Sequence, residues 1–259
     1  MSLGLMNRLK WQDKLFVNGI AVHTDYSVQP GDVITVPLDE ETPQYPPEDG
    51  PLTVIYEDAY MLAVDKPAGM LIHPSRSRLT GTLANRVLAY YQKTGQKCAF
   101  HPLTRLDRDT SGIVLLAKNS HIHALLSTTT IQKTYQAPVF DGPKTDRMII
   151  DAPIARLPLP SLLRQVSPEG KPSVTRLQVL ERKDGYTLLA LEPVTGRTHQ
   201  LRVHCAYMGF PILGDPQYGT QESQAFSQKL GFTHQQLCAK KLQFIHPVTN
   251  EEISIESTL

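Results

Sequence analysis

Apolar and polar positions along the chain change period several times, and each change marks an element. "LTVIYED" (Leu52–Asp58) and "MLAVD" (Met61–Asp65) are apolar runs of strand length. "TLANRVLAYYQKTG" sets Leu83, Val87, Leu88 and Tyr91 on one helical face, which predicts a helix stopping near Gly95. "IVLLA" (Ile113–Ala117) reads as a buried strand, and "SHIHALLSTT" as a helix. "KTYQAPVF", "VTRLQVLE" and "YTLLALEP" read as three further strands. "THQLRVHCAYMG" reads as a helix that Gly209 ends. A proline-rich stretch between Asp151 and Ser173 interrupts the pattern. Strands cluster here without strict alternation with helices. The expected class is therefore α+β, with a mostly antiparallel mixed sheet flanked by helices and loops, rather than a doubly wound parallel sheet.

The first 51 residues read differently. In "LFVNGIAV" the pair Asn18-Gly19 between apolar runs predicts a two-residue hairpin turn. "SVQPGDVITVP" adds a turn and a short strand over Val33–Val36. Two or three such strands bury too little to fold alone. "DEETPQYPPEDGP" follows, aperiodic, proline-rich and purely acidic, as a linker would be. The expected organisation is a small segment 1–38, a linker 39–51 and a main domain 52–259. The opening "MSLG" carries no fold meaning.

Composition narrows the class. The chain has 259 residues, 41% of them hydrophobic and 20% charged, as in an ordinary globular protein. No apolar run reaches the length of a membrane span, and no charged start with an apolar core suggests a secretory signal. Cys98, Cys205 and Cys238 are far apart, which argues against a disulfide framework or zinc ribbon and favours a cytoplasmic location. The formal net charge of +1 hides a segregation. Eight acids and no base lie between Asp39 and Asp65, whereas nine bases face only Asp107 and Asp109 between Lys66 and Lys118. The basic excess is either a solvated face or the footprint of a polyanion.

Metal chemistry finds no support: His199 and His204 are five apart, His121 and His123 point apart on a helix, and no H-E-x-x-H exists. Phosphate-loop and dinucleotide fingerprints are also missing. The densest chemistry lies in "HPLTRLDRDTSG" (His101–Gly112), between apolar flanks. Thr110, Ser111 and Gly112 follow Asp107 closely, so hydroxyls and amides can fix its carboxylate. A nucleophilic carboxylate is already ionised at neutral pH and needs orientation and a counter-charge above all. A plain capping loop fits these residues equally well.

A resemblance separates the two readings. "RLDRDTSG" is similar to the H-R-L-D-x-x-T-S-G signature of the RluA-type pseudouridine synthases. "VDKPAGMLIHPS", "KTYQAPV", "GKPSVT", "PVTGRTHQLRVHCAYMGFPILGDPQYG" and "LCAKKLQFIHPVT" resemble that family's other blocks, in its order, across 52–259. The front segment resembles the second half of an S4 RNA-binding domain without the helical, basic first half. The resemblance implies the pseudouridine synthase fold, a structured RNA substrate (ribosomal RNA or transfer RNA) and no metal, nucleotide or redox cofactor. A non-catalytic RNA-binding assembly factor that kept the fold is the alternative.

The resemblance also assigns roles. Asp107 falls on the catalytic aspartate, and Asp109 on a variable position. Arg105 falls on the arginine that replaces a flipped base. Tyr135 falls on the active-site tyrosine, whose ring stacks on uracil and whose phenol is a candidate acceptor of the C5 proton. Arg202 falls on the basic partner of the aspartate, with Arg197 the second choice and an RNA contact. Leu201 is a candidate pocket wall; Arg108, Lys66 and His73 are candidate RNA contacts, Lys66 and His73 serving loop structure otherwise. Thr104 stands where the family has His, a change expected to act on loop packing or RNA contact. No coiled coil or long unpaired apolar helix appears, which favours a monomer.

Overall fold

The computed structural model describes residues 15–23, 25–36, 44–75 and 78–259. The "MSLG" start, the end of the expected segment at residues 37–38 and residues 39–43 of the expected linker lie outside them. The chain forms two compact units, Met1–Glu41 and Thr42–Leu259.

In the first unit, β1 (Phe16–Val17) pairs with β2 (Ile20–Ala21) and β3 (Ile34–Thr35), both antiparallel. Asn18 and Gly19 take φ of 52° and 81°, the left-handed pair that a tight hairpin of this hand requires. Asn18 also accepts from the Val33 amide and donates to Asp32, which fastens the third strand.

The second unit is built on one mixed sheet of ten strands. Its main path begins with β4 (Thr53–Glu57), β5 (Met61–Lys66), β7 (Ser111–Ala117) and β14 (Cys238–Ile245). It continues through β8 (Gln132–Phe140), β13 (Tyr186–Pro193), β12 (Val174–Lys183) and β9 (Arg147–Asp151). β6 (His101–Pro102) pairs with β7, and β15 (Glu252–Glu256) with β14. All pairings are antiparallel except β7 with β14, where Ser111 faces Cys238 and Gly112 faces Ala239. The expected class, a mostly antiparallel mixed sheet with flanking helices, is what forms.

The period-2 rule explains how β5 and β7 come to be apolar on both faces. Leu62, Val64, Val114 and Leu116 pack on α1 (Leu83–Lys93) through Leu83, Val87, Leu88 and Tyr91. Met61, Ala63, Ile113, Leu115 and Ala117 point the other way, onto Ile122 and Leu126 of α2 (Ser120–Thr128) and onto Leu242, Phe244 and Ile255. Each large side chain so buried contributes about 1.5–3 kcal/mol. A third cluster joins β8, β13, β12 and β9 to Leu201 and Cys205 of α3 (Gln200–Tyr207). Thus β14 is the seam between two packed halves, and loops from both halves meet there.

Local chemistry sets the ends of the helices. Asn85 Oδ1 accepts from the Thr82 amide and hydroxyl at the start of α1. Its Nδ2 donates to the Pro46 carbonyl, and Lys93 pairs with Asp49. Residues 45–50, expected within a linker, are therefore fastened along α1.

Several elements escaped the sequence pattern. The proline-rich interruption holds a hairpin, β10 (Ile154–Arg156) with β11 (Arg164–Val166). α4 (Gln221–Lys229) buries serines, Ser223 and Ser227, rather than an apolar stripe. β9 is a short edge strand, and Ile149 in it remains exposed.

Candidate active site

A cavity of about 720 Å³ opens where these loops meet. Its wall takes residues from the 103–110 loop, from β8, from the 193–199 loop and from α3. Asp107, Tyr135, Arg105, His73, Arg197, Leu201 and Arg202 all line it. Residues up to 129 positions apart in number thus share one cavity lining.

The Asp107 loop is held from several sides. The Thr110 amide donates to the Asp107 carbonyl, closing a turn. Thr110 Oγ1 accepts from buried Gln235, and the Ser111 amide donates to the Leu237 carbonyl. Gly112, at φ 102°, lets β7 lie against β14: a Cβ there would come within 2.3 Å of the Ala239 carbonyl oxygen. Thr104 is buried, and its Oγ1 accepts from the Leu115 amide at 3.0 Å. The departure from the family's His acts on loop packing, because this side chain is turned away from solvent.

Arg202 stands behind the carboxylate. Its Nη1 lies 3.4 Å from Asp107 Oδ2, while Nε and Nη2 form a fork on Asp215 at 2.7 and 2.9 Å. Nη2 also donates to Gln217 Oε1, and the guanidinium lies over the Tyr218 ring. Burial works against its charge, but the Asp215 hydrogen bonds and the charges of Asp215 and Asp107 raise its pKa above the ordinary value. Arg202 is therefore a fixed cation whose main partner is Asp215, and Asp107 takes its remaining edge.

His199 also faces the site. It takes the left-handed φ of 57° just before α3, a conformation that a side chain adopts only when its surroundings hold it. The hold comes from buried Gln200, which accepts from Thr195 and the Arg197 amide and donates to Val174 and Thr175. His199 Nε2 lies 3.7 Å from Asp107 Oδ2, and Nδ1 lies 2.9 Å from Tyr218 Oη. Tyr218 Oη in turn accepts from the Arg164 amide, so its own proton is free to reach His199 Nδ1. Nε2 is the ring nitrogen that faces the carboxylate. Burial, with Arg202 and Arg164, outweighs Asp107 and Asp215 and holds the His199 pKa below its usual value.

Tyr135 lies opposite Ala239 in the β8–β14 register, one strand from Gly112. Burial, helped by Asp107, pushes its phenol up to about 12. Leu201, 6% exposed, supplies an apolar wall. His73 is wedged edge-on against Phe100 and Tyr45, and burial with the Arg105 charge lowers its pKa. Arg105 and Arg197 are exposed at the cavity.

Lys66 and Arg108 lie apart from the cavity lining. Lys66 is fully buried, and its Nζ donates to the carbonyls of Pro67, Met70 and Arg108, each at 2.9 Å. All three donors are used, so it ties two loops together, the loop-structure role given as its alternative. Arg108 is exposed but lies outside the cavity lining, forked onto Asp109 by two bonds at 2.9 and 2.8 Å. Asp109 is thereby a loop residue, its pKa lowered by the Arg108 hydrogen bond. Asp215, His199 and Tyr218 were not singled out from sequence. All three lie in the long quoted block, and Asp215 between Gly and Pro reads locally as a turn acid.

Comparison with known proteins identifies the chemistry. The model of the family described as RNA pseudouridylate synthase matches residues 60–207. This chain belongs to the RNA pseudouridylate synthase family. It is 39% identical to the uncharacterized RNA pseudouridine synthase YlyB of Bacillus subtilis over 95% of this chain and 82% of that one. It is 33% identical to ribosomal large subunit pseudouridine synthase C of Vibrio cholerae, over 97% of this chain and 83% of the other. Among solved structures, human RNA pseudouridylate synthase domain containing 1 superposes with a TM-score of 0.65 at 26% identity, covering 81% of this chain and 85% of that one. As a pseudouridine synthase the chain is an isomerase that turns uridine into pseudouridine in RNA. Among the described residues no helix is long and apolar enough to cross a membrane.

Proposed function

We propose that the substrate is a uridine in ribosomal RNA and that Asp107 is the nucleophile that isomerises it. The relatives named for the large ribosomal subunit, at 33–34% identity over at least 95% of this chain, support the choice of RNA. The observation that carries the chemical reading is Asp107 in the cavity lining, braced by the buried Arg202 and sharing that lining with Tyr135.

The reaction breaks the N1–C1′ bond and makes a C5–C1′ bond, while C5 loses a proton and N1 gains one. The substrate base must leave its stack to reach Asp107. Arg105, planar and exposed at the cavity edge, takes the vacated place. Leu201 and the Tyr135 ring sandwich the uracil. The Asp107 carboxylate attacks either C1′, displacing uracil and being displaced in turn by C5, or the uracil ring, from which it is eliminated once C5 has joined C1′; Arg202 restrains its direction of approach. A phenol with pKa near 12 stays protonated at pH 7, so Tyr135 accepts the C5 proton only while passing its own on. A relay, with water or a neighbouring carboxylate as the next acceptor, is the form that its environment permits.

The test uses an unmodified transcript of large-subunit ribosomal RNA. Wild type is expected to form pseudouridine at discrete positions, read by carbodiimide adducts and primer extension. Asp107→Asn is expected to bind the transcript with unchanged affinity and form none. Near wild-type turnover by Asp107→Asn overturns the assignment, and an inactive wild type on every cellular RNA favours the non-catalytic assembly-factor alternative.

A further inference from the structure

A second cavity, of about 460 Å³, adjoins the first, and residues 196–198 line both. Its other walls are the β10–β11 hairpin and the turn at 169–171. Arg156, Arg164, Lys171 and Arg197 line it against a single acid, Glu169. Arg86, Arg108 and Arg182 elsewhere each hold a carboxylate. Arg164 and Arg197 instead donate to the neutral carbonyls of Leu162, Leu163 and Pro172. Four cations converging on one cavity with one acid among them make a site for an anion.

The cavity is also built rather than loose. Ile154 and Lys171 bridge their backbones, and a Cβ on Gly170 would come within 2.5 Å of the Ile154 backbone. The hairpin and the turn are thus pressed together, which sets the spacing of Arg156 and Lys171. One wall residue connects to the reactive group through two others. The Arg164 amide donates to Tyr218 Oη, Tyr218 meets His199 Nδ1, and His199 Nε2 faces Asp107. An anion seated here is therefore separated from the Asp107 carboxylate by Arg164, Tyr218 and His199.

We propose that this second cavity seats the backbone phosphates of the RNA strand next to the flipped uridine, with Arg156 and Lys171 as the phosphate-binding pair. The inference rests on the reading of the first cavity as the uridine site. It adds where the flanking strand runs: over the 196–198 loop and under the β10–β11 hairpin. Phosphate contacts of this kind position the strand and carry no sequence preference. They give binding its salt dependence, by about 0.7 in the log–log slope per phosphate for single strands.

The test compares wild type, the double variant Arg156→Ala/Lys171→Ala, and a control double variant Lys144→Ala/Lys229→Ala, whose residues lie outside both cavities. The probe is the unmodified large-subunit transcript, with binding measured between 50 and 200 mM salt. Loss of two phosphates should lower the salt slope by about 1.4 and weaken binding by at least ~10-fold at the lower salt. The control should change the slope by less than half as much. The charge-keeping Arg156→Lys/Lys171→Arg variant should restore it, which a folding defect would not allow. Equal slopes for wild type and the Arg156/Lys171 variant overturn the inference. Because the slope needs no turnover, this result stands apart from the activity assay: an inactive wild type would remove the uridine reading while the slope still reports on the phosphate seat.

Discussion

Arg202 links two aspartates of opposite character, and substituting each in turn separates support from chemistry. Asp215 is 1% exposed and takes the guanidinium fork at 2.7 and 2.9 Å, whereas Asp107 is 34% exposed and lies 3.4 Å from the remaining edge. Asp215 Oδ1 also accepts the Gln217 and Tyr218 amides. Asp215→Asn keeps a carbonyl for those amides but removes the charge that offsets a buried cation. Breaking such a pair costs about 3–5 kcal/mol, because the remaining charge stays desolvated. Asp107 is too exposed to take over that role. For a domain of this size the loss corresponds to roughly 6–20 °C in Tm. The freed guanidinium also loses its direction, and an ångström of misplacement lowers turnover by about 100-fold.

Asp107→Asn should behave in the opposite way. Asp107 is half-buried, lies 3.4 Å from a cation that Asp215 already offsets, and leaves no buried charge unpaired when removed, so stability should hardly move while product formation stops. Urea unfolding followed by circular dichroism gives the stabilities, and single-turnover pseudouridine formation gives the rates. The reasoning fails if Asp215→Asn costs less than about 1 kcal/mol, the upper end for a solvated pair. It also fails if the two variants are destabilised alike.

Other variants probe the rest of the site. Thr104→Val leaves the Leu115 amide buried without its acceptor, so it should cost about 1–3 kcal/mol, lower turnover and speed hydrogen exchange at Leu115; unchanged exchange there would remove the loop-anchor role. Tyr135→Phe should bind RNA within threefold of wild type yet lose at least ~100-fold in single-turnover rate, the lower end for a lost acid–base group; retained rate would leave the ring as a stacking surface only. Burial lowers the pKa of His73, His199 and His204 below their unfolded value near 6.5. As pH falls through that value the unfolded chain takes up protons that the folded chain refuses, so stability should fall on going from pH 7 to 5. Tm against pH measures this, and His204→Gln should flatten part of the slope; a Tm that rises on acidification contradicts the burial argument.

Much of the frame is legible because its physics is local. Two-faced apolar runs at Met61–Asp65 and Ile113–Ala117 demand cover on both sides, and α1 and α2 supply it. The ordered motif blocks brought Asp107, Tyr135 and Arg202 onto one wall, as the cavity shows. For Lys66 the local pattern left two roles open. At the end of an apolar strand a lysine reads as reaching solvent or a phosphate, yet carbonyls from two loops converge on it. Asp215 is similar: only the folded path of α3 brings Arg202 onto it. α4 carries almost no apolar periodicity, since Ser223 and Ser227 are what it buries. Such residues are fixed by partners distant in sequence, which no local pattern encodes.

The same distant partners decide which parts of the site can move. Lys66 holds the Arg108 carbonyl, Thr104 holds β7, Gln235 holds Thr110 and Arg202 faces Asp107. These tethers come from β5, β7, the segment before β14, and α3, so the Asp107 loop is complete only when both halves of the sheet have closed on β14. A loop pinned from four elements is a poor lid, and a carboxylate nucleophile gains most from being fixed before substrate arrives. The motion that catalysis needs must then come from the RNA and from side chains outside this lattice. Arg105 and Arg197, exposed at the cavity, are placed for that work. Stiffening the protein further, for instance by removing water-exposed loop freedom away from the cavity, should leave turnover intact. Stiffening the RNA by extra base pairs around the target uridine should slow it, because the unstacking energy is supplied on the RNA side.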